Sequence, residues 1–384
     1  ISVFKSDISN VFHQNNMPSL LMVFSPILIL YPISQSCKAI FQSQGKTAPF
    51  VISHHVLPGL GSLFVFITLS SILNPYLATI SYWLSFSLLQ TVLYSSYLLK
   101  EGYIAQFLWP LKINTSVLLD LWEFSWPVLL SNTDLIMIGY FLSTDEVGLY
   151  KAIQPFRGVV IFVLASFTYS LFPLMSAYIE DDQENKLSDI YRTSTKWITL
   201  TTLPIVATIG FFSEGIIMVF LTNSYQDAAL VLSVLVFGMF LRAMAGPTGT
   251  LISAAALTKV EMYASFIGVI INILLNLILI PTIGLIGAAI ATVTSYTMYN
   301  IFELYFVYHI LGHWPIPKDV IKPTLIISVF SGFILYVVES LSISYNISNI
   351  VLISAIVGSC ALFTIYITQS ITESDRKALR ELMP

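Results

Sequence analysis

Apolar residues run through this chain in long blocks separated by short polar or Gly/Pro-rich breaks. Cutting at those breaks gives eleven candidate spans, near 17–40, 49–73, 76–99, 118–142, 147–176, 197–221, 229–257, 262–281, 284–311, 323–343 and 349–371. About 20 apolar residues are what a helix needs to cross a bilayer, whereas a membrane barrel would show short alternating segments. The expected fold is an all-α integral membrane protein of about eleven transmembrane helices. Pro18, Pro26, Pro32, Pro127, Pro204 and Pro247 fall inside these spans, where a missing amide hydrogen predicts a kink or break.

The basic residues give this count an independent check. With strict alternation and Ile1 outside, Lys38, Lys46, Lys100, Lys112, Lys186, Arg192, Lys196, Lys259, Lys318, Lys322, Arg376, Lys377 and Arg380 fall on the cytoplasmic side, and only Lys5 falls outside. Lys151, Arg157 and Arg242 lie within spans. An error of one span would scramble this division, which follows the positive-inside rule. An external start leads to the expectation that an odd number of helices precedes Ile1.

Composition sharpens the class. Only 10% of the 384 residues are charged and mean hydropathy is +0.82, against roughly 25% charge in a soluble domain, so a soluble globule is excluded. Seventeen Lys and Arg against 21 Asp and Glu leave no basic excess to neutralise a phosphate backbone, which sets nucleic-acid binding aside. Cys37 and Cys360 sit inside apolar runs without metal-ligating neighbours, so packing is their expected role. The first apolar run lacks a charged front and a small-residue cleavage site, so it is not read as a cleavable signal.

Sliding the sequence on itself by 213 residues aligns the first three spans with the seventh to ninth without gaps. Phe24 then meets Phe237, Lys46 meets Lys259, and Ala78-Thr79 meets Ala291-Thr292. Span lengths and the cytoplasmic Lys recur together, as in a transporter built from two homologous bundles in one orientation. The segment 100–116, with Tyr103, Phe107 and Trp109, is expected along the cytoplasmic interface as the boundary between lobes.

The most specific stretch is Asn272-Ile-Leu-Leu-Asn276-Leu-Ile-Leu-Ile-Pro281, followed by Gly284, Gly287, Ala288, Ala291 and Thr292. Asn272 and Asn276 share a helix face, Pro281 ends that helix, and Gly284 begins the next. Gly284 with Ala288 and Gly287 with Ala291 put small residues at four-residue spacing, which lets backbones approach closely. Three further stretches accompany it: Phe124-Ser-Trp-Pro127 leading to Asp134-Leu-Ile-Met-Ile-Gly139-Tyr-Phe-Leu142, then Glu146-Val-Gly148-Leu-Tyr150, and Thr372-Glu-Ser-Asp375-Arg376.

Together these stretches closely resemble the multidrug/oligosaccharidyl-lipid/polysaccharide exporter superfamily, within it the O-antigen flippase-like polysaccharide transporters. The resemblance implies a two-lobed fourteen-helix fold, of which this sequence looks like helices four to fourteen. It divides the chain into 1–99 as the remainder of an N-terminal lobe, 100–116 as a linker, 117–311 as a C-terminal six-helix lobe, and 312–384 as a terminal pair with a cytoplasmic tail. Between Pro127 and Asp134 the sequence is shorter than the family's usual pattern, and from Phe124 to Leu142 it reaches about 28 Å as a helix, barely a span. The implied activity is the flipping of a lipid-linked oligosaccharide across the plasma (inner) membrane by alternating access. The implied partners are a lipid-linked sugar, membrane lipids and a coupling H+ or Na+, with no cofactor.

Charged residues within spans are costly and default to functional hypotheses. Arg157 lies about ten residues into its span and forms a polar stripe with Lys151 and Gln154. A guanidinium facing a cavity suits the diphosphate of a lipid-linked sugar, since it binds phosphate oxygens through paired hydrogen bonds; the competing role is an ion pair that merely fixes packing. Arg242 sits just before Gly246-Pro247, where a broken helix would free carbonyls toward a cavity. With Asn272 and Asn276 these make the candidate substrate path. Asp134 and Glu214, a third of the way in from the outer face, are the ion-coupling candidates, and Glu214 suits a helix end at the interface better. Glu303 lies in the inner third, within reach of a neutralising cytoplasmic Lys, and Lys151 is near enough to the outer surface to snorkel.

Other motifs are weaker. His309 and His313 have ligand spacing, but Gly312 and the interfacial position favour an anchor, and His54 and His55 point to different faces. Gly45-Lys46-Thr47 ends like a phosphate loop, yet Ile40 occupies the leading Gly position, so ATP is not the expected energy source. Asn346-Ile-Ser348 is a glycosylation sequon in an external loop. The competing functions are a cation-coupled multidrug antiporter, an incomplete non-transporting fragment, and a glycan polymerase or ligase. That last class needs a large external loop, which this chain lacks.

Overall fold

A computed structural model of the chain describes residues 57–72, 75–100, 133–312, 314–341 and 343–368, with Pro26 and Leu30. The span at 17–40, the cysteine Cys37, the Gly45–Thr47 stretch, His54 and His55, the segment 101–116, the Phe124–Pro127 motif, His313 and the tail motif lie outside the described residues. All regular elements among the described residues are helices. The chain forms two compact units, 1–117 and 118–384.

In the first unit, α1 (Leu57–Ser70) packs against α2 (Pro75–Lys100). Gly61 makes this approach possible, since a Cβ there would lie 2.6 Å from a Leu89 methyl. The Tyr82 ring meets Phe66 edge-on at 6.4 Å.

The second unit begins with α3 (Thr133–Phe141) and α4 (Thr144–Ala152). Ser143 caps α4 by accepting from the Glu146 amide, the first half of a Ser-x-x-Glu capping box. One residue, Ile153, separates α4 from α5 (Gln154–Glu180), and Pro155 in the first turn of α5 supplies no amide to continue the earlier helix. Ile153 itself keeps right-handed helical dihedrals, so Thr144–Glu180 runs on as the one span expected near 147–176. Next come α6 (Glu184–Phe211) and α7 (Ser213–Phe220), bent by 77° at Phe212. A 3₁₀ turn at Asn223–Ala228 leads to α8 (Ala229–Ala245), and Gly246-Pro247 separates this from α9 (Thr248–Ala254). Gly246 adopts φ +82°, a left-handed value that disfavours side chains, and the break falls where the sequence places it. The long α10 (Thr258–Leu311) is two limbs joined by non-helical Ile283 and Gly284, the latter at φ +63°. After a short 3₁₀ turn, α11 (Ile321–Ser340) and α12 (Ile347–Ile367) follow, and Asn346 caps α12 by accepting from the Asn349 amide at 2.8 Å.

The sixth span starts well before the expected residue 197. Leu187, Ile190, Tyr191 and Ser194 are buried at helical spacing, while Glu184, Lys186, Asp189 and Arg192 are exposed between them. An amphipathic helix of this kind averages to low hydropathy and escapes a reading by apolar runs.

Among the described residues, five helical runs are long and apolar enough to cross a membrane, or six if the bent α6–α7 pair counts as one. Phe162, Val329, Leu362 and Tyr366 stand out from the bundle with more than two-thirds of their surface exposed, as lipid-facing side chains do. The chain is a multi-pass, all-α membrane protein. Buried side chains form two separate cores. One gathers Ile138, Tyr150, Ile217, Leu232 and Leu235; the other gathers Leu171, Met175, Tyr191, Leu251 and Val307.

The α10 hairpin is as tight as its small residues suggest. A Cβ on Gly287 would fall 2.3 Å from the Leu279 carbonyl oxygen on the opposite limb, and Ala288 and Ala291 are fully buried. Backbone cannot swing aside as a side chain can, so Gly287→Val should force the limbs apart at a cost of about 1–3 kcal/mol. Thermal unfolding in detergent should show a clear drop for this variant. Gly358→Ala, where the added methyl meets nothing within 4 Å, should unfold no earlier than the parent.

Candidate functional site

Two helices of the second unit break close to polar residues, and those residues converge with others. Arg157 is the fourth residue of α5, and Arg242 lies in the last turn of α8, just before Gly246-Pro247. Asp134 is in the first turn of α3, and Asn272 and Thr292 face each other across the α10 hairpin. All five line one cavity of about 240 Å³. That is below the roughly 300–1,000 Å³ that encloses a drug-sized ligand, so the space suits a headgroup rather than a whole glycolipid.

The Asp134 carboxylate is buried and accepts from the Leu135 amide at 2.9 Å. Tyr150 sits beside it, and Arg157 is close enough for Coulomb attraction. Tyr150 in turn shares a 3.4 Å hydroxyl contact with Thr292. Asn276, fully buried, donates to Asn272 at 2.9 Å, and Asn272 reaches toward Thr292 and Ser295 at 3.5 and 3.4 Å. The Asn276 Oδ1 atom is buried without a hydrogen-bond partner among the described residues. Arg242 lies over two aromatic faces, 5.6 Å from the Tyr296 ring centre and 5.9 Å from that of Tyr299. Among the described residues neither guanidinium is taken up in an ion pair. Two cations that face a cavity unpaired, with amides and hydroxyls around them, can bind an anion through charge-assisted hydrogen bonds.

The structure thus brings Asp134, Arg157, Arg242 and Asn272 to one cavity, with Asn276 behind Asn272. It separates others from them. Of the Lys151–Gln154–Arg157 stripe, Arg157 lines the cavity and the other two do not. Glu214 stands exposed in the first turn of α7, also away from the lining. Glu303 is held by hydroxyls: Tyr299 donates to its Oε1 at 2.6 Å and Thr248 donates to its Oε2. His309 is exposed and packs against Tyr305, with ring centres 4.6 Å apart. Among the described residues no three His, Cys, Asp or Glu side chains are grouped to hold a metal.

Sequence reading by charge overlooked Ser265, Ser295, Tyr296 and Tyr299, which also line the cavity. The signal was a spacing. Thr292, Tyr296, Tyr299 and Glu303 recur every three to four residues along the second limb of α10, with Ser295 beside them, and Ser265, Gly268, Asn272 and Asn276 do so on the first.

Comparison with known proteins fits this arrangement. Residues 124–278, which contain α3 to α9 and most of the first limb of α10, match the MatE family. The chain is 24% identical over 156 residues to the probable low-salt glycan biosynthesis flippase Agl15 of Haloferax volcanii, covering 41% of this chain and 33% of that protein. It is 29% identical over 161 residues to the probable flippase AglR of the same organism, covering 41% and 33%. The chain thus matches about one third of the length of these curated relatives. Among solved structures, it shares a fold with the lipid II flippase MurJ in an inward closed conformation, at a TM-score of 0.65 and 18% identity, over 92% of this chain and 75% of that one. The segment that matches the MatE family thus holds Asp134, Arg157, Arg242, Ser265 and Asn272 of the cavity lining.

Proposed function

We propose that this protein flips a lipid-linked oligosaccharide or polysaccharide precursor across the plasma membrane by alternating access, with Arg157 and Arg242 holding the anionic linkage between lipid and sugar. The single observation that carries this reading is that both guanidiniums open onto one cavity without an ion pair among the described residues. An acidic headgroup crossing the hydrocarbon region needs compensating charge along its path, and a planar guanidinium matches phosphate oxygens through two parallel hydrogen bonds. The names of Agl15, AglR and MurJ as flippases support the same class of activity. A multidrug antiporter for cationic drugs fits the lining less well, since two guanidiniums would repel such a substrate. We assign 117–311 as the lobe that carries the headgroup site, with 1–99 contributing the remainder of a second lobe.

Asp134 is the coupling group in this reading, and Glu214, outside the cavity, is not. A proton or Na+ on Asp134 cancels its attraction for Arg157 and frees that guanidinium for the headgroup. Ion and headgroup then favour each other's binding, and by linkage the help is reciprocal. No step requires ATP or a resident cofactor.

Two outcomes follow. In proteoliposomes carrying a fluorescent diphosphate-linked sugar lipid, Arg157→Ala and Arg242→Ala should each slow flipping about ten- to a hundredfold, the loss expected from a charged hydrogen bond of about 1.5–3 kcal/mol. Each Lys replacement should recover only part of the rate, because charge returns without the fork. Unchanged flipping, accompanied by ion-driven ethidium efflux, would contradict the proposal. In the same vesicles Asp134→Asn should flip at a rate insensitive to an imposed Na+ or pH gradient; persistent gradient dependence would remove Asp134 from the coupling role.

A further inference from the structure

Glu303 is a carboxylate with 1% of its surface exposed, sitting outside the cavity lining. Burying a carboxylate in a membrane bundle is costly, so its neighbours should reveal what it does. One oxygen accepts from the Tyr299 hydroxyl at 2.6 Å and the other from Thr248. Both donors belong to the surroundings of Arg242. Tyr299 is one of the two rings over which the guanidinium lies. Thr248 is the first residue of α9, directly across the Gly246-Pro247 break from the helix that carries Arg242. The near side of that break is pinned as well, because the Tyr191 hydroxyl donates to the Ala245 carbonyl at 2.7 Å. Glu303 is also close enough to attract Arg242 electrostatically without pairing with it.

We infer that Glu303 is the positioning residue of the anion site: through Tyr299 and Thr248 it fixes the ring face and the helix break that hold Arg242 toward the cavity. This deepens, and rests on, the reading of Arg242 as a headgroup ligand. The physical reason for a carboxylate is its two acceptor oxygens. A glutamine of the same shape offers one acceptor and one donor, so it cannot accept from both hydroxyls. An Arg side chain that must be ordered at each binding event loses affinity, whereas one already held does not.

The test uses the full chain in nanodiscs, with farnesyl diphosphate as the binding probe and phenylglyoxal as an arginine-selective reagent read by peptide mass spectrometry. One lost hydrogen bond corresponds to about three- to tenfold. Glu303→Gln should weaken farnesyl diphosphate binding by that factor, and should raise the phenylglyoxal reaction rate of Arg242 by that factor while leaving Arg157 unchanged. Tyr299→Phe, which deletes a single hydroxyl and serves where Glu303→Gln folds poorly, should do the same. In an Arg242→Ala background Glu303→Gln should weaken binding no further, since its effect passes through Arg242. Unchanged Arg242 reactivity, or an additive loss in the double variant, would overturn the inference. If the unmutated chain binds no farnesyl diphosphate yet Arg242 reactivity rises in both variants, the headgroup reading falls and the positioning role stands.

Discussion

Charge set inside an apolar helical bundle is the constraint on which the second unit is built, with Asp134 and Glu303 buried and Arg157 and Arg242 half-buried. A guanidinium or carboxylate there needs polar surroundings, and a regular apolar helix has none to offer because its backbone groups are already paired. The helices break beside the residues that need relief. Gly246-Pro247 follows Arg242, and Ile283-Gly284 separates the limb carrying Asn272 from the limb carrying Thr292. Breaks that would be defects in a simple spanning helix here let side chains from four helices face one space.

Packing keeps that space polar. On α8 and α9 the first apolar core reaches Met244 and the second begins at Leu251, with Gly246-Pro247 and Thr248 between them. On the second limb of α10 the first core reaches Tyr296 and the second begins at Phe302, with Tyr299 between them. On α6 the same interval holds Thr195, Thr199 and Thr202, each hydroxyl donating to a carbonyl one turn earlier. The bundle is therefore two apolar cores with a polar layer between. Close approach of α8 to α10 depends on Gly238, where a Cβ would lie 2.4 Å from a Val293 methyl.

Much of this was legible in the sequence, and what escaped has a physical reason. Apolar runs and the distribution of Lys and Arg convey the membrane class, because bilayer thickness and positive-inside bias act on composition directly. Gly246-Pro247 and the Asn272-to-Thr292 hairpin were readable because Pro, Gly and small residues each carry a local geometric consequence. The hydroxyl partners of Glu303 were not, since Thr248 and Tyr299 are uncharged and Thr248 lies 55 residues away. Which cations face a void and which are paired is a property of tertiary packing, and sequence supplied only the candidates.

The central claim, that an anionic headgroup enters the cavity bearing Arg157 and Arg242, is tested most directly by photocrosslinking a diazirine-bearing isoprenyl diphosphate to the full chain in nanodiscs and mapping the labelled peptides. The account predicts label on α5, α8 and the second limb of α10, competed away by unlabelled isoprenyl diphosphate. Label confined to outward residues such as Val329 and Leu362, unaffected by competitor, would contradict it.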